Sequence, residues 1–135
     1  MKTLIIILFP FLSFSQIESK LISQIFTETS PVSLVSIGKE NGYKVTIEAD
    51  GYFFDNKFSR IYKDLDGSVF FFCRYSNFLF SGFKKELDLN FPIIGAEKLD
   101  DAYQMLYENN NHSQWELAHF QDGKYRYIVY ALTVK

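Results

Sequence analysis

The spacing of apolar residues along the chain predicts both helices and strands. Between Ile17 and Glu28 the apolar side chains recur at helical spacing, which indicates an amphipathic helix closed by Ser30-Pro31. From Tyr43 to Ala49 apolar and polar residues alternate, as they do in a half-buried antiparallel strand. Shorter apolar runs predict further strands at 32–37, 58–63, 68–75, 78–83, 114–120 and 124–134.

The strand at 68–75 is apolar on both of its faces. Phe70 and Phe72 point to one face, and alternating neighbours such as Val69 and Phe71 point to the other. A strand of this kind is expected at the centre of a sheet, covered by other elements on both sides.

A second helix is predicted just before the last two strands. Four residues of the segment 97–108 fall on one helical face: Leu99, Ala102, Tyr103 and Leu106. The acidic pair Asp100-Asp101 then lies in the first turn, where it complements the helix dipole. The chain is therefore predicted to form one α+β domain, with an antiparallel sheet of about six strands. It would have an N-terminal helix and a second helix before the C-terminal hairpin.

The first residues have the organisation of a secretory signal peptide. Lys2 gives a short basic start, residues 4–12 are nearly all apolar, and Ser13 and Ser15 are the small residues before a cut at Gln16. The apolar run is too short to span a bilayer stably. Its Ser-Phe-Ser-Gln ending resembles signal peptides of Bacteroidetes-type bacteria. The sequence thus predicts a signal peptide at 1–15 and one secreted or periplasmic domain at 16–135.

Composition narrows the class of protein and of partner. The chain of 135 residues is 47% hydrophobic and 19% aromatic, which excludes a disordered or coiled-coil protein. Its net charge of −2 offers no basic excess for binding nucleic acid. No run after residue 15 is long and apolar enough to span a membrane, so no membrane span is expected in the mature chain.

Few residues could carry chemistry. Cys73 and two histidines, His112 and His119, are the only thiol and imidazole groups. Phenylalanine neighbours raise the pKa of a thiol, so we expect Cys73 to be buried and inert. We expect both histidines to be solvated. No metal-ligand spacing, phosphate-binding glycine loop or dinucleotide fingerprint occurs. No catalytic residue, metal or cofactor is therefore predicted.

The C-terminal hairpin allows a prediction of its two faces. If residues 122–123 form a two-residue loop, Trp115 lies opposite Tyr130 and His119 opposite Arg126. This face is large and apolar, so it should lie on the core. The opposite face carries four residues that could stack on a sugar or a peptide, which we call the hairpin strip: Glu116, Phe120, Tyr125 and Tyr127. The alternative is ordinary cross-strand pairing partly covered by a helix.

These features predict an exported, non-catalytic domain that binds a partner or serves as an envelope accessory protein. The hairpin strip is the candidate binding surface, and the partner is an unknown protein, glycan or small ligand. Two alternatives stay open. One is a small secreted hydrolase, and the other is a carrier that holds an apolar ligand in a Phe-rich interior.

Overall fold

Helices α1–α3 and strands β1–β8 account for most of residues 14–135, the part of the chain that this computed structural model describes. The helices are α1 (Phe14–Thr27), α2 (Pro31–Glu40) and α3 (Asn77–Asn90). The strands are β1 (Lys44–Glu48), β2 (Gly51–Asp55), β3 (Ser59–Asp64), β4 (Val69–Arg74), β5 (Ile93–Lys98), β6 (Ala102–Glu108), β7 (Ser113–Asp122) and β8 (Tyr125–Val134). The predicted signal peptide lies outside the described residues except for its last two. None of the described helices is long and apolar enough to cross a membrane.

The eight strands form one antiparallel sheet in the order β1-β2-β3-β4-β8-β7-β6-β5. The same order of elements occurs twice, because α2 and α3 are each followed by four consecutive strands. The last strands of the two sets, β4 and β8, pair at the centre of the sheet. The α+β class and the antiparallel sheet agree with the prediction, but the sheet is larger than the six or so strands expected. Its edge strand β1 is more exposed than the alternating pattern predicts, because it has only one neighbouring strand.

All three helices pack on the same face of the sheet. The core combines apolar helix residues such as Ile22 and Phe83 with alternate strand residues such as Phe71, Leu117 and Tyr130, all completely buried. Because successive side chains point to opposite sides of a strand, the remaining strand residues point away from the helices. We call this second side, which no helix of residues 14–135 covers, the open face.

The segment 32–37 is helical, so the strand predicted there is wrong. Ser30 is the N-cap of α2, since its hydroxyl accepts a hydrogen bond of 3.4 Å from an amide in the first turn, and Pro31 is the first helical residue. Leu34 and Ile37, three residues apart, are then buried on one helical face. The Ser-Pro pair therefore begins a second helix. The helix that the sequence predicts before this pair is confirmed as α1.

A helix also replaces the strand predicted at 78–83 and continues through the polar residues that follow. Ser76 caps α3 by accepting a hydrogen bond of 3.4 Å from the amide of Leu79. Phe83 and Leu87, four residues apart, are completely buried. The apolar face of α3 thus extends beyond the apolar segment 78–83 from which a strand was predicted.

The helix predicted at 97–108 is wrong, because this segment forms the end of β5, a turn and β6. Tyr103, Met105 and Tyr107 alternate along β6 and point to the core face. The acidic pair 100–101 occupies the turn between the two strands and not the first turn of a helix. The element directly before the C-terminal hairpin is therefore a strand, and the helix lies earlier in the chain as α3.

β4 lies at the centre of the sheet, as predicted, but other elements do not cover both of its faces. Val69 and Phe71 are completely buried beneath the helices, whereas Phe70 and Phe72 are half-buried on the open face. Neighbouring aromatic rings, and not a second layer of structure, shield these two side chains.

One lysine is buried between the sheet and α1. Lys63 on β3 is only 6% exposed. Its Nζ donates to the carbonyl oxygens of Ile25 at 2.7 Å, Phe26 at 3.1 Å and Glu28 at 2.9 Å. The last carbonyls of a helix lack intrahelical donors, and a cation there also complements the helix dipole. Lys63 therefore fixes the C-terminal end of α1 to the sheet.

We expect Lys63→Met to lower the free energy of unfolding by about 2 kcal/mol, because it removes charge-assisted hydrogen bonds to three carbonyls. Urea denaturation measures this loss. Lys20→Met, at an exposed position of α1, is the matched control and should change stability by less than about 0.5 kcal/mol. Equal stability of the two variants would contradict the capping role.

Candidate functional site

The C-terminal hairpin turns one residue later than predicted. Its loop is 123–124 and not 122–123, and the loop glycine has a φ of 62°. Trp115 consequently lies opposite Leu132 and not opposite Tyr130. Every cross-strand partner moves by two residues. Because side chains alternate with a period of two, both faces keep the residues that the sequence assigns to them.

The structure places the hairpin strip on the open face and brings three of its four residues together. The rings of Phe120 and Tyr127 lie 5.9 Å apart. Tyr125, 44% exposed, has the guanidinium of Arg74 3.6 Å from the centre of its ring. Glu116 is separate, since it lies four residues from Phe120 along β7, about 13 Å away. Its carboxylate accepts a hydrogen bond of 2.9 Å from a glutamine of β6.

A second aromatic group, which the sequence did not predict as a site, extends the open face across β2, β3 and β4. The ring centroids of Phe53 and Tyr62 are 4.7 Å apart, and those of Tyr62 and Phe70 are 6.3 Å apart. Phe72 continues the series at 6.3 Å from Phe70. The guanidinium of Arg60 lies 5.2 Å from the centre of the Phe53 ring. We call the four half-buried rings the aromatic row.

Small side chains lie between the aromatic row and the hairpin strip. Ala131 and Val129 of β8 and Ala118 of β7 occupy the centre of the open face. Ala131 is completely buried although no helix of residues 14–135 covers it. Its larger neighbours therefore close over the sheet, and the two aromatic groups belong to one continuous apolar band.

A cleft of about 430 Å³ opens on the helix side of the sheet, next to α3 and the turn between β5 and β6. His119 of β7, Arg126 of β8 and the turn residues 100–101 line it together. We call it the His119 cleft. Its volume is in the range of small-molecule sites.

His119 is only partly exposed and lies among aromatic rings, so it is less solvated than the sequence predicts. The centroid of its imidazole is 5.1 Å from that of Tyr75, 4.9 Å from that of Phe80 and 5.9 Å from that of Tyr103. Burial, and after it the charge of Arg126, lowers the pKa of His119 below its usual value. The imidazole is therefore neutral at neutral pH.

Arg126 determines which imidazole nitrogen of His119 carries the proton. Its Nη1 lies 2.7 Å from Nδ1 of His119 and donates to the carbonyl oxygen of Asp101 at 3.3 Å. A guanidinium can only donate, so Nδ1 accepts and the proton is on Nε2. The sequence places His119 directly opposite Arg126, which is wrong, because His119 pairs with Ile128. The side chains of His119 and Arg126 still meet, as diagonal neighbours on adjacent strands.

Cys73 and His119 are not placed as a thiol catalytic pair. They lie in one cross-strand row with Ile128 between them, which puts them about 10 Å apart by strand spacing. A nucleophile and its base need hydrogen-bond contact. Cys73 is 8% exposed, and burial, followed by the nearby charge of Glu18, raises its pKa to about 12.

We expect a maleimide to label Cys73 at least about tenfold more slowly in the native protein than in denaturant, because a buried thiol with a raised pKa holds little thiolate. Mass spectrometry of timed samples measures the two rates. Equal rates would show that the thiol is open and would restore it as a candidate nucleophile.

The remaining residues of metal-binding type are dispersed. His112 is exposed, as predicted, in the turn before β7. Within the described part of the chain, no three side chains of His, Cys, Asp or Glu are grouped so that they could hold a metal ion.

Comparison with known proteins found no matching family model, curated protein or solved structure. The open face and the His119 cleft are therefore the two surfaces that indicate a function.

Proposed function

We propose that this protein is an exported, non-catalytic binding domain whose open face docks on another protein. The supporting observation is the uneven cover of the sheet. Every helix of residues 14–135 packs on one side, while the other side carries the aromatic row and the hairpin strip. A contiguous apolar patch of this kind on a protein surface is typical of an interaction site.

The dimensions of the open face suit a protein partner. Eight strands about 4.8 Å apart, with about seven residues each on average at about 3.3 Å per residue, give roughly 800 Å². Each partner in a standard protein–protein interface contributes about 800 Å². The face can therefore supply most of such an interface without any rearrangement of the helices.

The composition of the open face also resembles that of interfaces. Tyrosine, phenylalanine and arginine are enriched where proteins bind one another, and tyrosine and arginine are among the residues that dominate binding energy. Arg60 and Arg74 each lie against an aromatic ring, of Phe53 and Tyr125 respectively. Both cations are thus oriented before a partner arrives, which lowers the entropy lost on binding.

The charges of the open face indicate the chemistry of the partner. The strand register places seven carboxylates on this face: Glu48, Asp55, Asp64, Glu97, Glu108, Glu116 and Asp122. The cations on this face are Lys44, Arg60, Arg74 and, through its contact with Glu108, Lys135. Two copies placed face to face would bring like charges together, which disfavours a homodimer. The expected partner is a different protein with an apolar centre and a basic rim.

Site-directed photocrosslinking tests the proposal. Benzoylphenylalanine replaces Phe72 or Tyr125 on the open face, and Phe78 on α3 as the matched control, which is 80% exposed. In an envelope extract of the source cells, the two open-face variants should form an adduct with the same protein and the Phe78 variant should not. The yield should fall at high salt, since salt screens the charges of the rim.

The captured protein is then purified and its affinity measured by titration calorimetry. Phe72→Ala is expected to weaken binding about 30-fold, the usual loss at an interface hot spot, and Phe78→Ala should leave it unchanged. Circular dichroism establishes that the variants fold, and the more exposed Tyr125→Ala repeats the measurement if Phe72→Ala does not. Adducts at all three positions, adducts with a second copy, or retention on glycans without any protein adduct would overturn the proposal.

Export is the other half of this proposal. The expected cut before Gln16 leaves twelve of the fourteen described residues of α1 in the mature chain, so removal of residues 1–15 keeps most of this helix. Intact-mass measurement on protein recovered outside the cytoplasm should give a chain that begins at Gln16. A retained Met1 would contradict export.

A further inference from the structure

We propose that the His119 cleft binds a small zwitterion with an aromatic ring, for which a free aromatic amino acid is the simplest case. The cleft lies on the helix side of the sheet, opposite the open face. The site is therefore separate from the protein docking proposed above and can be tested without the partner.

The cleft offers room and flat walls for one ring. Its volume is about 430 Å³, and Phe80, Tyr103 and Leu99 line it. Aromatic side chains bind a ligand ring in offset-stacked or edge-to-face arrangements, which give it a defined orientation. The cleft opens to solvent at the exposed turn between β5 and β6, so a ligand can enter without unfolding.

Arg126 presents an unused edge for a carboxylate. Its Nη1 is held by Nδ1 of His119 and by the carbonyl oxygen of Asp101. Its Nε and Nη2 have no hydrogen-bond or ion-pair partner among residues 14–135. These two nitrogens form the edge of a guanidinium that binds a carboxylate in bidentate fashion. The Nη1 contacts hold the group in place beforehand, so less entropy is lost on binding.

His119 supplies a second donor to the same cleft. Because its Nδ1 accepts from Arg126, its Nε2 carries the proton, and within the described chain no acceptor contacts it. Aromatic rings hold the imidazole in its orientation. Two oriented donor groups therefore line a cleft in which a ligand carboxylate can accept from both.

The turn between β5 and β6 supplies the opposite charge. The exposed carboxylates of Asp100 and Asp101 border the cleft, and Lys98 joins Arg126 as its second cation. The lining therefore carries equal numbers of cations and carboxylates. A simple anion would be repelled by the aspartates and a simple cation by Arg126 and Lys98, whereas a zwitterion satisfies both.

An NMR titration of the full chain with three probes tests this selectivity. L-phenylalanine carries both charges, 3-phenylpropionate lacks the ammonium group, and phenethylamine lacks the carboxylate. Binding is measured from the amide signals of residues 98–103 and from the ring signals of His119. L-phenylalanine is expected to bind at least about tenfold more tightly than the other two, because each loses one charge-assisted interaction.

Two variants separate the roles of the charges. Arg126→Lys keeps the positive charge and removes the bidentate edge, so affinity for L-phenylalanine should fall about tenfold or more. Arg74→Lys, the matched arginine on the open face, should leave it unchanged. Asp100→Asn/Asp101→Asn should abolish the preference for L-phenylalanine over 3-phenylpropionate.

Three results would overturn the proposal. The first is equal binding of 3-phenylpropionate and L-phenylalanine that the double aspartate variant does not alter. The second is the absence of shifts with all three probes, and the third is identical behaviour of Arg126→Lys and Arg74→Lys. If Arg126→Lys loses its dispersed amide signals, the exposed aspartate variant decides the outcome on its own.

Discussion

Trp115→Ala is expected to lower the free energy of unfolding by about 3–5 kcal/mol, the usual cost of removing a large buried aromatic side chain. The indole is 2% exposed, and its ring centroid lies 5.3 Å from that of Tyr130 and 5.8 Å from that of Phe91. Its Nε1 also donates to the side chain of Asn109 at 3.3 Å. Because a domain has about 5–15 kcal/mol in total, this one change should bring the protein close to unfolding.

The opposite face of the same hairpin should respond much less. Tyr125→Ala/Tyr127→Ala removes one cross-strand ring pair, worth about 0.2–1 kcal/mol, and one exposed cation–π contact, worth about 0.5–1 kcal/mol. Its expected cost is therefore about 1–2 kcal/mol. Urea denaturation of the two variants makes the comparison. If the tyrosine variant is the less stable one, the strip contributes to folding more than to binding.

This comparison depends on the faces of the hairpin, which the sequence predicts correctly although its register is wrong. Moving the loop from 122–123 to 123–124 shifts every partner by two residues and leaves each side chain on its own face. Alternation along each strand is a local property that the sequence carries. The position of a loop depends on backbone geometry that the tripeptide Asp122-Gly123-Lys124 does not specify uniquely.

Elements were predicted wrongly where the apolar residues of a short segment match both the helical spacing and the alternation of a strand. In 97–108, Leu99, Ala102, Tyr103 and Leu106 match a helical face, yet Tyr103, Met105 and Tyr107 also alternate as in a strand. Which pattern prevails depends on pairing with β7, a contact distant in sequence. For α2 and α3 local signals were present in Ser30-Pro31 and in Ser76, and reading them as N-caps would have found both helices.

The candidate sites divide in the same way. Alternation in 68–75 assigns Phe70 and Phe72 to one side of β4, but only the packing of all helices on the other side leaves these rings on a surface. The His119 cleft could not be predicted, because it joins α3, the β5–β6 turn and the last hairpin. These segments are brought together by a helix and two strands that the sequence had assigned to other classes.

Glu18 shows a further difference between sequence pattern and packing. The helical pattern of α1 suggests Ile17 as a core position, but Ile17 is 47% exposed and Glu18 only 7% exposed. Its Oε2 is buried and has no hydrogen-bond partner within the described residues. Burial raises the pKa of Glu18 from 4.5 to about 7. The folded protein therefore holds the proton of this carboxyl more tightly than the unfolded chain does.

The direction of the pH effect follows from this raised pKa. At pH 4 Glu18 is protonated in the folded state and mostly protonated in the unfolded state, so its ionisation has little effect on stability. As the pH rises through 4.5 towards 7, the unfolded chain ionises first and stability falls. Above pH 7 both states are ionised, and the folded state carries the full cost of a buried carboxylate. The pKa difference corresponds to about 3 kcal/mol.

Glu18→Gln replaces the carboxyl group with a neutral group of the same shape, so it should abolish this loss. The variant is expected to match the unmodified chain at pH 4 and to exceed its free energy of unfolding by about 3 kcal/mol at pH 8. Urea denaturation at a series of pH values measures the difference, and Glu97→Gln, at an exposed position of β5, should show none of it. A constant difference between Glu18→Gln and the unmodified chain at every pH would mean that Glu18 does not titrate within the core. Because Glu18 contributes to the raised pKa of Tyr43 and of Cys73, its removal should also speed the labelling of Cys73 slightly at high pH.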